Sequence, residues 1–377
     1  MYRSDLESVR IVDSLARVDR DAWNALAGVQ PFMRHEFLAA LIDTGCAAAR
    51  SGWLPQFVLL SRAGELVGAM PLFAKNHSYG EYVFDWAWAE AHERHGIDYY
   101  PKLVCAVPFT PVRGPRLLGA CASDKKALVK AALELAREAS SLHILFARDE
   151  DAAVLAGEGF LMRRTVQFHW QNEGYADFED FLGRLSHARR KNIRQERRRV
   201  REAGVAFRWL EGAAIERTHW EFFNRCYRRT YAAHRSTPYL NLDFFLRLSA
   251  QLPDNVTLVI AEREGKPLAA SLLLRDAQSL YGRYWGCVEH VPLLHFECCY
   301  YQAIEYAISR KLQVFEGGAQ GEHKIFRGLM PVQALSAHWL AHPKFARAVE
   351  HFLERETLGI TQYVNELVEH TPFKEKG

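Results

Sequence analysis

The sequence contains no run approaching the ~20 consecutive apolar residues that cross a bilayer. Its opening stretch, MYRSDLESVRIVDSL, carries acids where a secretory signal needs an unbroken apolar segment. It has no Cys-x-x-Cys pair: the seven cysteines are odd in number and scattered, and the adjacent Cys298 and Cys299 are poorly placed to bridge each other. Neither a zinc framework nor a disulfide scaffold is indicated, and a reducing cytoplasm is the expected compartment. A metal centre is not expected, since His77, His92 and His95 lack a settled ligand spacing. There is no Gly-x-Ser-x-Gly elbow, no Walker loop and no Gly-x-Gly-x-x-Gly after an expected strand, so hydrolase, phosphoryl-transfer and dinucleotide readings lack their signatures. Charge excess is also missing. A formal +3 over 377 residues is too small to argue for a nucleic-acid or membrane partner, and local charge must decide that question.

What is present is the composition of a folded protein, 49% hydrophobic and 12% aromatic, in a chain too long for one ordinary core. Two domains are expected, and a repeat supports them. FVLLSRAGELVGAMPLFAK (Phe57 to Lys75) aligns with LVIAEREGKPLAASLLLRD (Leu258 to Asp276), placing Val58 on Val259, Arg62 on Arg263, Gly64 on Gly265 and Ala69 on Ala270. Each copy reads as a β-hairpin around a glycine turn. A helical pattern precedes each, RHEFLAALI and LDFFLRLSAQL, and a helix-then-strand pattern follows: SDKKALVKAALELAREA, capped by Ser123, before LHILFA, and HFECCYYQAIEYAISRKL before QVFEGG. The spacing puts Phe296, Tyr300, Ile304 and Ile308 on one helical face. A mixed α/β layer architecture used twice is therefore expected, with domains 1–165 and 166–377 and a long C-terminal helix or helix pair.

Four segments carry chemistry. HSYGEYVFDWAWAEAHERHG (His77 to Gly96) has neither strand alternation nor amphipathic helical spacing; its tryptophans could stack on a flat group, and its acids could orient an amine. In YGRYWGCVEHVPLLHFECC, His295 and Glu297 sit where a helix begins, a place that attracts anions. EGGAQGEHKIFRGLMP gathers glycines that allow close ligand approach with Glu322, His323, Lys324 and Arg327. SHARRKNIRQERRRVREAG presents Arg190, Arg194, Arg197 and Arg201 near one helical face, with Ile193 and Val200 on another and Glu196 almost the only acid. Plainer readings stand beside each: a packed aromatic loop, an acid complementing a helix dipole, a flexible surface loop, and a solvated charged face. Arginine density favours bidentate phosphate contacts over the last of these.

The stretches HSYGEYVFDWAWAEAHERHGIDYYPKL, VPFTPVRGPRLL, RRKNIRQERRRV, LHFECCYYQAIEYAI and FEGGAQGEHKIFRGLMPV closely resemble a bacterial family of predicted N-acyltransferases, FemAB-like, labelled peptidoglycan biosynthesis or recognition. The likeness runs from Pro31 to the C-terminal helix. It implies tandem acetyltransferase-like (GNAT) folds and transfer of an acyl or aminoacyl group to an amine. Fem-type enzymes move amino acids from aminoacyl-tRNA onto a cell-wall precursor peptide, whereas other GNAT enzymes use acyl-CoA. One departure matters: where the GNAT pyrophosphate loop reads Gln/Arg-x-x-Gly-x-Gly/Ala, this chain reads GCVEHVPLLHFE and retains only Gly286. The donor therefore stays open among acyl-CoA, an acyl carrier and aminoacyl-tRNA, with no tightly bound cofactor expected. On this reading Glu297, Glu322 or His323 serves as base or proton shuttle. Arg190, Lys191, Arg194, Lys324 and Arg327 hold donor phosphates or a developing anion. His77, Glu81, Asp85, Trp86, Tyr284, Trp285 and His295 line the acceptor pocket, so that both unusual loops meet one ligand. A non-catalytic module binding RNA or a cell-wall precursor through the basic helix is the rival from another class.

Overall fold

The computed structural model describes residues 7–318 and 321–374. Ala319 and Gln320 of the glycine-rich loop, and residues 1–6 of the opening stretch, lie outside the described residues. The chain divides into two compact units. One comprises the described residues up to Thr165 together with Gln333–Thr361, and the other Val166–Val332 together with the described residues from Gln362. The join expected between 165 and 166 is one of the crossing points. The expected second domain ran unbroken to 377, whereas residues 333–361 pack with the first unit.

In the first unit the order is β1 (Glu7–Val12), α1 (Arg20–Ala27), α2 (His35–Asp43), β2 (Trp53–Pro55), β3 (Phe57–Arg62), β4 (Glu65–Met70), β5 (Leu72–Lys75), α3 (Trp86–Arg94), β6 (Lys102–Cys105), β7 (Leu118–Gly119), α4 (Ala122–Ala136), β8 (Ser141–Ala147) and α5 (Asp149–Gly157). Strand β9 (Leu161–Gln171) leads out of it. The second unit continues with α6 (Phe178–Arg184), α7 (His187–Glu202), β10 (Val205–Glu211), α8 (Arg217–Ala233), α9 (Leu242–Gln251), β11 (Val256–Arg263), β12 (Lys266–Arg275), β13 (Ser279–Cys287), α10 (Leu294–Phe296), α11 (Gln302–Ser309) and β14 (Val314–Glu316). Finally, β15 (Met330–Leu340) and α12 (Pro343–Glu369) close the chain. Among the described residues no helix is long and apolar enough to cross a membrane.

The repeat is real at the level of single residues. Hairpins β3–β4 and β11–β12 both turn through two residues of positive φ, Ala63–Gly64 and Glu264–Gly265, the geometry that matches the twist of paired strands. Both carry a register shift at the same aligned step, Leu60/Ser61 and Ala261/Glu262. The edge strands agree too: β1 pairs Val9 with Leu60 and Ile11 with Val58, and β10 pairs Phe207 with Ala261 and Trp209 with Val259. The sheet of the first unit runs β1-β3-β4-β7, and that of the second begins β10-β11-β12-β13. The aligned apolar residues supply each core. Val58, Leu60, Met70, Leu128 and Leu142 are buried together in the first unit, and Val259, Leu273, Leu280, Ile304 and Phe315 in the second.

The copies then diverge. In the second unit β12 turns directly into β13, whereas residues 71–117 of the first unit insert β5, α3 and β6 between β4 and β7. Helix α4 begins two residues earlier than expected: Cys121 is its N-cap, and Ser123 lies inside the first turn. The stretch from His77 also differs from expectation, because α3 forms within it. Trp88 and His92, four residues apart, are its buried face, and the His92 Nδ1 lies 2.9 Å from the Trp88 carbonyl oxygen. The aromatic crowding had masked that spacing.

Candidate functional site

In the second unit, strands β13 and β14 run parallel for three residues, Ser279 with Val314 through Tyr281 with Glu316. Beyond that point they part. β13 continues beside β12 to Cys287, while Gly317 and Gly318 follow β9 through bonds between Gly317 N and Phe168 O (2.9 Å) and between Phe168 N and Gly318 O (3.1 Å). Parallel strands parting at their carboxyl ends expose backbone and leave room for a ligand.

The helix beside this notch is irregular. Leu293 enters it with a positive φ of 68°, and Glu297–Tyr301 forms a π-turn closed by Gln302 N donating to Glu297 O. The extra residue in that turn brings side chains five apart onto one side. His295 therefore meets Tyr300, with ring centres 5.6 Å apart, and packs edge-on against Trp285 at 5.0 Å. On the far side of Tyr300, its hydroxyl lies 3.3 Å from His323 Nε2, and Phe296 flanks the same imidazole at 5.3 Å. Two imidazoles thus bracket one phenol. His323 sits in a 3-10 turn, Glu322–Arg327, bounded by Gly321 and Gly328 with φ of 99° and 88°.

Burial and neighbouring cations favour the neutral form of both imidazoles. Burial, then the nearby His323, Lys324 and Arg327, push His295 down to about 4. His323 is lowered by burial first and by Arg327 and Lys324 next. Among the described residues the His295 ring makes no hydrogen bond. A neutral, half-buried imidazole with a free nitrogen is able to accept a proton. Lys324 is buried, with one hydrogen bond to Gly318 O at 3.3 Å, and burial lowers its ammonium to about 8.

Other expected members are spent. Glu297 is buried and saturated: Arg197 Nε donates to its two oxygens at 3.1 and 3.2 Å, and Gln302 Nε2 at 2.9 Å. It anchors α7 to the π-turn instead of acting as a base. Arg327 donates to both oxygens of Glu196, at 3.0 and 2.9 Å, and to His323 O at 2.8 Å, and it lies 3.6 Å over the Phe296 ring. Its charge is neutralised inside the protein. Glu322 is exposed and accepts from Tyr363 Oη at 2.9 Å. Tyr284 faces away from Trp285 along β13, toward Tyr227 at 5.1 Å.

Helix α7 is anchored by Ile193 and Val200, both buried, as its spacing predicts. Its outer face lines a cavity of about 660 Å³ with Arg190, Lys191, Arg194, Arg198 and Arg201. Arg194 pairs with the exposed Glu179 at 2.5 Å, while among the described residues Arg190 and Lys191 make no ion pair. Arg197 departs from the expected phosphate face, since Glu297 and Glu305 take its guanidinium.

The sequence profile of a FemAB-like family, described as peptidoglycan biosynthesis and recognition proteins, matches residues 14–375. The chain belongs to that family. A search of curated proteins finds no match. Among solved structures, FemX aligns over 89% of this chain and 99% of its own with TM-score 0.56 and 11% identity. L-PGS from Bacillus licheniformis aligns over 90% and 98% with TM-score 0.57 and 10% identity. The C-terminal domain of a putative lysylphosphatidylglycerol synthetase from Agrobacterium fabrum aligns over 88% and 94% with TM-score 0.52 and 10% identity. At these identities the likeness is one of fold. The FemAB-like family and this GNAT-type fold make the protein a transferase.

Gly286, the remnant of the GNAT pyrophosphate pattern, has a packing role in this FemAB-like chain. It pairs with Ala270 inside β13, and a Cβ there would lie 2.1 Å from the Cys226 carbonyl oxygen of α8. In the first unit the acids expected to hold an acceptor amine are occupied by an amine of the protein's own. Lys102, fully buried, donates to Glu81 (2.8 Å), to Ser78 Oγ (2.8 Å) and to Asp85. Burial, opposed by Lys102, raises Glu81 to about 7. Asp85 also accepts from Tyr99 Oη at 2.6 Å. Trp86 remains at the surface beside the exposed Tyr79, ring centres 4.9 Å apart, and Tyr79 N donates to His77 Nδ1 at 3.2 Å. Sequence reasoning missed Lys102, whose plain context "YYPKL" carries no mark of a buried charge. It missed Tyr300 as well, because helical spacing assigns that residue to a core face, and nothing in the sequence marks the π-turn.

Proposed function

We propose that the protein transfers an aminoacyl group from the ester of a charged tRNA to the amine of a cell-wall precursor peptide in the cytoplasm. The observation that carries this reading is the pair of neutral imidazoles bracketing Tyr300 where β13 and β14 part, with Lys324 beside them. The attacking amine forms the new C–N bond at the ester carbonyl, and His323 or His295 accepts its proton. Lys324, as the ammonium, faces the negative charge that develops on the carbonyl oxygen. The C–O bond then breaks, and the ribose hydroxyl leaves carrying a proton returned from the imidazole. Trp285, packed on His295, flanks the acyl chain.

The donor assignment rests on charge. The cationic face from Arg190 to Arg201 spans ~16 Å of helix, enough for successive phosphates of one strand. The connection after β13 lacks the glycine turn that would cradle a pyrophosphate, which weighs against acyl-CoA. FemX and the lysylphosphatidylglycerol synthetase share the fold, and the second name points to an aminoacyl product, which agrees with this donor. The test is label transfer. Purified protein is incubated with a mixture of radiolabelled aminoacyl-tRNAs and a nucleotide-linked precursor peptide, in parallel with labelled acyl-CoA. Label appearing on the peptide amine from tRNA alone supports the proposal; label from acyl-CoA alone overturns its donor.

A further inference from the structure

Two consecutive residues of α7 reach inward between Ile193 and Val200 and grip the site at two places with opposite polarity. Arg197 holds Glu297, the first residue of the π-turn that carries Tyr300. Glu196 holds Arg327, the last residue of the turn that carries His323, and also accepts from Tyr301 Oη. Arg327 passes the constraint on by donating to the His323 carbonyl at 2.8 Å. Ile325 anchors the middle of that turn in the core, but glycines with positive φ bound it at both ends, and the Arg327–Glu196 pair is what ties its last residue to α7. Glu196 breaks the cationic run of α7, an odd residue for a helix whose outer face is built to attract phosphate. The grip explains its presence.

We propose that Glu196 is a positioning residue that fixes the His323 turn to the inner face of α7, the helix whose outer face carries the cationic cavity. The proposal rests on the reading above only for the use of that cavity; the grip stands on the contacts themselves. Because one rigid helix bears both, a polyanion bound outside constrains the imidazole inside, and the influence is reciprocal.

The test uses the full chain with 13C-labelled histidine and reads two quantities: the His323 imidazole pKa by NMR, and amide exchange across residues 321–329. E196Q and R327Q each break the grip and should each speed exchange of the Gly328 and Leu329 amides about tenfold or more. The pKa shifts should run in opposite directions. Loss of the Glu196 carboxylate removes a charge that favours imidazolium, so the pKa falls; loss of the Arg327 cation removes one that opposes it, so the pKa rises. A turn that was merely loosened would move both variants toward the ordinary imidazole value, the same way. The double variant should be no faster in exchange than either single one. Unchanged exchange in both variants, or pKa shifts of the same sign, overturns the proposal. A short single-stranded RNA added to the native protein separates the two readings. RNA that binds and perturbs the His323 resonance in native protein, but leaves it unmoved in E196Q, supports the coupling. RNA that fails to bind while both variants behave as stated counts against the donor reading alone.

Discussion

Replacing Lys102 by methionine should destabilise the first unit by ~3 kcal/mol, the lower end of what removing one member of a buried ion pair costs. The structure fixes both the size and the pH dependence. Among the described residues Lys102 is the only cation within hydrogen-bond distance of either Glu81 or Asp85, which are themselves buried. Two of their oxygens, Glu81 Oε1 and Asp85 Oδ1, already lack a hydrogen-bond partner. Methionine keeps most of the volume, so packing loss is small and electrostatics dominate. Two contacts soften the loss: Tyr99 Oη still donates to Asp85 at 2.6 Å, and Lys75 Nζ remains 3.9 Å from Glu81. Protonation softens it further. Glu81 already stands at about 7, and without Lys102 both carboxyls rise above their unfolded values. A group whose folded pKa is raised favours the folded state below its unfolded pKa, and that benefit is lost as pH rises through the folded one. The deficit of K102M should therefore be greatest above pH 7 and shrink as pH falls toward 5. Urea denaturation of native and variant protein at several pH values, followed by tryptophan fluorescence, measures it. The triple variant K102M/E81Q/D85N should recover most of the stability, because removing the uncompensated charges along with their partner leaves nothing ionised to bury. A deficit under 1 kcal/mol at pH 8, or one that does not vary with pH, would refute the reasoning.

Single substitutions H323A and H295A should each lower label transfer, and the one that removes the working base should lower it ~10²-fold or more with folding intact by circular dichroism. Transfer should decline as pH rises through about 8, where Lys324 loses its proton, and K324R should move that decline to higher pH, read from a pH–rate profile. The double reversal K191E/R194E should weaken RNA retention and flatten its salt dependence by about two charges' worth of slope, read by filter binding across a salt series. G286A should be poorly tolerated, because its methyl group meets a backbone oxygen of α8 that no rotamer change relieves; a lowered thermal midpoint is expected.

The fold was legible where local pattern and burial agree. The hairpins could be aligned from sequence because apolar alternation and the Gly64 and Gly265 turns leave a signature of period two, and even their bulges fall at matching steps. The return of residues 333–361 to the first unit was not legible, since it depends on strand partners distant in sequence: β15 pairs with β8. In the site, charge density marked α7 correctly as a cationic face. Residue type alone could not say which charges face outward. Arg190 and Arg197 look alike in sequence, yet one makes no ion pair among the described residues and the other is consumed by two glutamates. The same limit applies to acids. Glu81, Asp85 and Glu297 drew attention as candidates for chemistry, and each proves to be buried against a partner. His295 and His323 drew attention in the sequence as histidines beside irregular turns, and the structure places both against Tyr300.

The duplication also argues for which copy works on the ester. Parallel strands that part leave room for a ligand at their carboxyl ends, and the second unit has such a pair in β13 and β14. In the first unit the counterpart of β13 is β7, only two residues long, and the counterpart of β14 is β8, whose parallel neighbour is β6 from the inserted segment. β6 pairs with β8 over three residues, as β13 does with β14, but beyond them Gly114 continues the parallel pairing at Ala147, so this edge stays covered where β13 and β14 part. The insertion brings the charges of Lys75, Glu81, Asp85 and Lys102 with it and uses them to satisfy one another. An edge already hydrogen-bonded to a strand has no free backbone groups to offer a substrate. The proposed transfer therefore fits the second unit, where β13 and β14 part and the His295 ring makes no hydrogen bond among the described residues.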